Sequence, residues 1–367
     1  MSQVSHLKSG LRFIISGGGT GGHIFPAIAI ANTLKKQLPD SEILFVGARD
    51  RMEMQRIPEA GYEIKGLNIA GFQRAKVMAN FGLPFKVMSS LMAAYQIVKA
   101  FKPSAAIGVG GYASGPLLMA ASWAGVPCVI QEQNFFAGIT NKILARRAKK
   151  ICVAYDGMED VFPKDKIVFT GNPIRYEILH DDINQKDAYG YFDLDESKRT
   201  ILIIGGSLGA RTINESVYAY IDKIKGANVQ LLWQTGKVWD KENPDKENVH
   251  QTPFIVRMDY AYAAADIIIS RAGALSIAEL QNIGKPVILV PSPNVTEDHQ
   301  THNAMALVQK QAALIVKDAE AKDKLMDKAM HLMLDESEKQ KLSNNIKKMA
   351  ITDAAERIVR EILAVAN

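Results

Sequence analysis

Short apolar runs rich in isoleucine, valine and leucine recur along the chain, separated by longer stretches whose apolar positions follow the helical period. Leu11–Ile15, Ile43–Val46, Ala105–Val109, Cys128–Ile130, Ile151–Ala154 and Ile167–Thr170 read as strands. A second set is Ile201–Ile204, Gln230–Gln234, Ile267–Ser270, Val287–Val290 and Ala313–Val316. Among the intervening stretches, Ala27–Leu38, Leu83–Phe101, Ala274–Asn282 and His299–Gln311 read as helices. Alternation of this kind builds parallel sheets with helices on both faces. The expected class is α/β, with two Rossmann-like doubly wound domains facing a deep cleft. In open sheets of this type, ligands bind beyond the carboxyl ends of the strands, where the glycine turns of this chain fall.

The turn signal Gly171-Asn172-Pro173 divides the two sets of strands. The expected domains are residues 1–172 and 173–350, with the closing segment 351–367 completing the first. Within that segment, Thr352 to Val365 is amphipathic and suits packing back on the first domain. No low-complexity tract or short repeat interrupts the pattern. Ser104 to Gln131 carries no charge and is long enough to span a bilayer, but its glycines and prolines break it. It reads instead as strand, glycine turn, a helix from about Pro116 to Trp123, and strand.

A chain of 367 residues has room for two such domains. Its 47% hydrophobic and 23% charged content is that of a globular protein. The net charge of +5 is mild and comes with no aromatic-interleaved basic tract, which argues against nucleic acid and fits weak attraction to an anionic surface. Cys128 and Cys152 sit in apolar runs and read as buried free thiols of a reducing compartment. No CxxC or Cys/His cluster suggests a metal, and no signal peptide is expected.

The candidate chemistry lies in the turns. GGGTGGHIFPA, Gly17 to Ala27, joins a strand to a helix. Glycines allow close approach of a ligand, and a helix N-terminus attracts anions. Pro26 is expected in the first helical turn. His23 stands at the helix mouth, where the dipole favours neutral imidazole able to accept a proton; the bland alternative is a ring bonded to a backbone carbonyl. A nicotinamide site would need an acid ending the second strand, but that strand ends Phe45-Val46-Gly47-Ala48, and Asp50 comes late. GVGGYASGP, Gly108 to Pro116, leaves room for a bulky ligand or is simply a tight turn. GGSLGA, Gly205 to Ala210, reads as a diphosphate cradle in which Ser207 adds a hydroxyl to backbone donors.

RAGALSIAE, Arg271 to Glu279, opens another helix. Glu279 is either a solvated helix residue or an acceptor for two ribose hydroxyls. In EDHQTHNA, Glu297 to Ala304, His299 and His302 with Asp298 imitate a metal cluster, but a helix cap at Asp298 is the simpler reading. Finally, Phe72, Val77, Phe81, Leu83 and Phe85 interleave with Arg74, Lys76 and Lys86, and Lys142, Arg146, Arg147, Lys149 and Lys150 follow later. Apolar residues rimmed by basic ones suit an anionic bilayer surface, against the alternative of ordinary core plus solvated charge.

GGGTGGHIFPA, GVGGYASGP, QEQNFFAG (Gln131 to Gly138), GNPIR (Gly171 to Arg175), GGSLGAR, RAGALSIAE and the Gln300…Asn303 helix, taken in that order, resemble the MurG family. The match runs from about Arg12 to the last helix. These bacterial transferases of peptidoglycan synthesis move N-acetylglucosamine from UDP onto the MurNAc 4-hydroxyl of undecaprenyl-pyrophosphoryl-MurNAc-pentapeptide (lipid I), giving lipid II. The resemblance implies a glycosyltransferase B-type fold and an inverting transfer with no cofactor and no catalytic metal. It implies a peripheral enzyme on the cytoplasmic face of the plasma (inner) membrane, where other cell-wall synthesis proteins are candidate partners.

Carried over by position, the resemblance gives the donor to the second domain. The backbone of Ile255 would meet uracil, Arg175 would cover the ring, Glu279 would hold the ribose and the Ser207 loop the diphosphate. Ala274, Leu275, Ser276, Ile277 and Ala278, which open the donor helix, would bind UDP-N-acetylglucosamine. Ala274, Leu275, Gln300 and Asn134 would contact the sugar, with Thr20, Gly21 and Gly22 approaching from the first domain and His23 as the base. The chain departs from the family at Gln131, where histidine is common, at His299, and in the bulk of Phe135 and Phe136. Two rival readings are a UDP-N-acetylglucosamine 2-epimerase, which needs no lipid acceptor, and a non-catalytic sugar-nucleotide or lipid-binding module.

Overall fold

The computed structural model describes residues 10–69, 83–175, 178, 183–206, 208–243, 245, 247–295 and 298–366. They form two compact units, Met1–Arg175 with Asp353–Asn367, and Tyr176–Thr352.

The first unit is built on strands β1 (Arg12–Gly17), β2 (Glu42–Ala48), β3 (Glu63–Leu67), β4 (Ala105–Gly110), β5 (Cys128–Glu132), β6 (Lys150–Val153) and β7 (Ile167–Phe169). They lie in the order β3-β2-β1-β4-β5-β6-β7, and all pairings are parallel. Side chains alternate across the sheet, so each strand feeds two cores. Phe13, Ile15 and Phe45 pack against Ile24, Ile30 and Leu34 of helix α1 (Gly21–Gln37) and against Ile358, Val359 and Ile362 of the C-terminal helix Ala354–Ala366. That last helix therefore belongs to the first unit. On the opposite face, Ile14, Leu44 and Ile130 meet helices α3 (Leu83–Phe101), α4 (Ser114–Trp123) and α5 (Ile139–Leu144). Burying each such aliphatic side chain contributes roughly 1.5–3 kcal/mol.

The second unit repeats the plan with β8 (Arg199–Ile204), β9 (Val229–Gln234), β10 (Val249–Thr252), β11 (Ile267–Ser270), β12 (Val287–Leu289) and β13 (Leu314–Ile315). Their order is β10-β9-β8-β11-β12-β13, again parallel. Strand order thus reverses between β1 and β4 in one unit and between β8 and β11 in the other. A ligand crevice opens at such points in doubly wound sheets.

Strands β3 and β10 escape the hydrophobic pattern. Both are edge strands, and their mixed exposure leaves no continuous apolar run to detect. Helix α1 begins at Gly21 rather than Ala27, which places Pro26 in the helix interior instead of the first turn. There the missing N–H leaves the Gly22 carbonyl without its usual donor. Ser104 to Gln131 folds as strand, turn, helix and strand, and among the described residues no helix is long and apolar enough to cross a membrane. Cys128 and Cys152 are buried free thiols, and burial pushes the Cys128 thiol up to about 12.

Candidate active site

In the first unit the candidate residues gather at the carboxyl ends of β1, β4 and β5. Thr20 is the N-cap of α1 but makes no capping bond with its side chain. The first-turn amides of Gly21 and Gly22 therefore have no acceptor within the helix. The ring of His23 turns back over the glycine loop, with Nδ1 3.1 Å from the Gly18 carbonyl oxygen and 3.4 Å from Thr20 Oγ1. A carbonyl only accepts, so Nδ1 carries the proton and Nε2 keeps the lone pair. Burial lowers the His23 pKa, against opposing pulls from Glu132, the Gly18 carbonyl and Glu53. The ring is therefore neutral at pH 7.

The first glycine loop is not open to a diphosphate along its length. The Gly18 amide donates to Gly110 O at 3.3 Å, and the Gly19 amide to Glu53 Oε2 at 2.8 Å. A buried carboxylate beneath the loop repels phosphate, which agrees with the missing ribose acid in setting the dinucleotide reading aside.

Asn134 follows β5 in a loop organised by buried Glu132. That carboxylate accepts from the amides of Asn134 at 3.1 Å and Gly138 at 3.0 Å, and from Asn141 Nδ2 at 2.8 Å. Arg175 lies in the first unit, its guanidinium 5.2 Å from the ring centroid of Phe25 on α1. The side chain expected over uracil thus already stacks on an aromatic ring.

In the second unit the candidates gather beyond β8, β9, β11 and β12. Ser207 lies outside the described residues, but its loop is constrained on either side. Gly206 and Gly209 take positive φ, the Gly209 amide donates to Gly206 O at 3.0 Å, and a Cβ on Gly209 would collide with Thr235 O. The helix Arg211–Ile224 follows, with no side-chain cap on its N-terminus. Ile255 is buried, and its amide donates to Gln234 Oε1 at 2.9 Å, leaving its carbonyl as the group that can meet a base edge.

The helix Ala274–Ile283 also starts uncapped, so the amides of Ala274, Leu275 and Ser276 are first-turn donors. Ile277 and Ala278 are buried, their side chains turned to the core. Glu279 is not a solvated helix residue: it is 4% exposed, and its Oε2 accepts from Tyr262 Oη at 2.9 Å. Gln300 accepts from the Ser292 amide at 2.9 Å through Oε1, which orients its Nε2 donors. Asp298 occupies the N-cap position at φ 49° but caps no amide; it accepts instead from Thr301 Oγ1 at 2.7 Å. Among the described residues, no group of three or more His, Cys, Asp or Glu side chains is placed to hold a metal ion.

Residues 13–153 match the glycosyltransferase family 28 N-terminal domain, and residues 200–358 the family's C-terminal domain. A protein of Phocaeicola vulgatus is 56% identical over 98% of both chains. One of Flavobacterium psychrophilum is 52% identical over 96% of this chain and 97% of its own. Both are named UDP-N-acetylglucosamine--N-acetylmuramyl-(pentapeptide) pyrophosphoryl-undecaprenol N-acetylglucosamine transferase. The chain belongs to glycosyltransferase family 28. The crystal structure of Acinetobacter baumannii MurG is similar in fold, with TM-score 0.74 and 29% identity over 96% of this chain and 99% of that one. A Neisseria meningitidis UDP-GlcNAc 2-epimerase structure also superposes, with TM-score 0.67 over 97% of this chain and all of its own, but at 16% identity it shares the fold alone.

This family 28 transferase absorbs its departure at Gln131 into a buried network. Gln131 Nε2 donates to Asn172 Oδ1 at 2.9 Å, Asn172 Nδ2 donates to Gln133 O at 3.0 Å, and Gln133 Nε2 donates to Val109 O at 2.6 Å and to Gln131 Oε1. Gln131 therefore ties the β5 loop to the Gly171–Arg175 turn. Phe135 and Phe136 meet edge to face at 5.5 Å, and Phe135 remains 39% exposed. Sequence reasoning passed over Glu53 and Glu132 as organisers. For Glu53 the one available signal is an acidic residue soon after the end of a strand that carries Gly47, and for Glu132 an acidic residue closing an otherwise uncharged strand.

Of the basic-apolar constellation, Phe72, Arg74, Lys76, Val77 and Phe81 lie outside the described residues, as does the side chain of Phe85. Lys86 is exposed on α3, beside Val87, Met88 and Met92, the last two 59% and 60% exposed.

Proposed function

We propose that this transferase moves N-acetylglucosamine from UDP-N-acetylglucosamine to the 4-hydroxyl of MurNAc in undecaprenyl-pyrophosphoryl-MurNAc-pentapeptide, with inversion, and that His23 is the base. The near-full-length match to relatives named for this reaction carries the reading.

On the first unit, neutral His23 takes the hydroxyl proton on Nε2 as the oxygen attacks the anomeric carbon. The bond from that carbon to the diphosphate breaks, and UDP leaves with the electron pair. Base assistance of this kind is worth about 100- to 10,000-fold. On the second unit, the uncapped N-termini at Arg211 and Ala274 stabilise the charge that develops on the leaving diphosphate, with Ser207 adding a hydroxyl. The Ile255 carbonyl accepts from uracil N3–H, and Glu279, held by Tyr262, accepts from the ribose hydroxyls. On the same unit, the amides of Ala274 and Leu275 and Gln300 Nε2 bind sugar hydroxyls.

The enzyme works on an anionic membrane surface, at the cytoplasmic face of the inner membrane. The exposed Met88 and Met92 of α3, and Ile139 and Ile143 of α5 at 70% and 61% exposure, support this reading. Lys86, Lys142, Arg146 and Arg147 are exposed around them, and α3 and α5 cover the same face of the first sheet.

The base is tested with His23→Ala. Turnover should fall by about 100-fold or more, while UDP affinity by titration calorimetry stays at the wild-type value. Wild-type turnover in a folded His23→Ala protein would remove His23 from the chemistry.

A further inference from the structure

We infer that Glu53 is a positioning residue for the transfer: its buried carboxylate fixes the glycine loop whose Gly18 carbonyl orients the His23 ring. The inference rests on the reading of His23 as the base.

Glu53 opens helix α2 (Glu53–Glu59), just after β2, and is 1% exposed. A buried carboxylate has to be satisfied by donors. Here both oxygens are: Oε2 accepts from the Gly19 amide at 2.8 Å, and Oε1 from the Ala48 amide at 3.0 Å. Among the described residues, no arginine or lysine pairs with it. The carboxylate thus joins the end of β2 to the loop after β1.

The surrounding glycines make room for it. A Cβ on Gly18 would stand 2.3 Å from Glu53 Oε1, and one on Gly47 would stand 2.6 Å from Glu53 Cγ. On its other side Gly18 meets Gly111, where a Cβ would lie 2.5 Å from Gly18 O. Gly18 is held between a carboxylate and a second glycine turn, and Gly19 takes φ +87° to complete the bend. The constrained carbonyl of Gly18 then receives Nδ1–H of His23 at 3.1 Å. The chain of contacts Glu53, Gly19, Gly18, His23 selects the tautomer with a bare Nε2, the atom that would take the acceptor proton. An orienting group one contact removed from a catalytic histidine is a recurrent device for fixing its tautomer.

Glu53→Gln keeps the side-chain volume but turns an NH2 towards one of the two amide donors. The full-length variant should lose about 100-fold in kcat, as a small misplacement of a reacting group does. Its KM for UDP-N-acetylglucosamine should stay within about two-fold, because most of the proposed donor contacts lie on the second unit. The acidic limb of its pH profile should move to lower pH, since a neighbouring negative charge and a carbonyl acceptor for the imidazolium are both weakened.

The imidazole 15N spectrum reads the same point without turnover. In the wild type at neutral pH, His23 should show protonated Nδ1 and bare Nε2, and Glu53→Gln should release it to a mixture. A wild-type His23 already protonated on Nε2 would overturn the inference. So would a variant that loses only thermal stability while keeping tautomer and acidic limb, which is what a purely structural role gives. If His23→Ala keeps wild-type turnover while Glu53→Gln still releases the tautomer, the base reading fails and the loop clamp stands.

Discussion

The ring of His23 abuts Gly110 so closely that a Cβ on the glycine would stand 2.5 Å from the ring's Cδ2 and 2.8 Å from Nε2. The two residues meet because β1 and β4 are neighbours where strand order reverses. Gly110 also holds φ +106°, which side-chain-bearing residues rarely adopt. Gly110→Ala should therefore displace the ring and strain the turn, at about 1–3 kcal/mol of stability. Turnover should fall by about 100-fold, with UDP binding preserved. A folded Gly110→Ala enzyme of wild-type turnover would mean that the ring does not need this place.

Tyr262 Oη donates to the buried carboxylate of Glu279. Tyr262→Phe removes a charge-assisted bond worth about 1.5–3 kcal/mol. If Glu279 holds the ribose, the KM for UDP-N-acetylglucosamine should rise by about ten-fold or more while kcat changes little. A fall in melting temperature with KM unchanged would confine Glu279 to a structural role.

His250 on β10 sets an acid sensitivity of the second unit. Burial lowers its pKa below the ordinary 6.5, with Lys198 adding to the effect and Asp193 opposing it, and its Nε2 finds no partner among the described residues. The folded state thus binds fewer protons than the unfolded state, and stability rises with pH. The contribution is complete above pH 6.5 and is lost as pH falls through the lowered value. His250→Phe should flatten the dependence of the urea midpoint on pH below the ordinary histidine value of 6.5. An unchanged slope would place the acid sensitivity elsewhere.

Most of the architecture was legible because parallel strands buried on both faces read as continuous apolar runs. Leu83–Phe101 was found with the bounds the periodicity gave. The edge strand Glu63–Leu67 was not, since its alternating exposure and its Lys65 and Gly66 hide it. The start of α1 is hidden because Gly21 and Gly22 are poor helix formers in isolation and Pro26 suits a first turn, although it lies inside the helix. At the site, His23 and the glycine turns stood out by type and spacing. Glu53 and Glu132 did not, because their partners are backbone amides, which any sequence supplies. The burial of Glu279 likewise depends on Tyr262, in a different helix.

Membrane attachment is tested on side chains that the first sheet's helices expose. Met88→Ser with Met92→Ser should weaken binding to vesicles containing phosphatidylglycerol, and raising the salt concentration should weaken it further. Folded double variants that bind such vesicles as the wild type does would move the attachment surface away from α3.

The most direct measurement is release of UDP from UDP-N-acetylglucosamine with and without a short-chain lipid I analogue. Transfer as proposed requires UDP to appear only with the acceptor, in step with a disaccharide product. UDP release without acceptor, or conversion of the donor to the N-acetylmannosamine epimer, would contradict it.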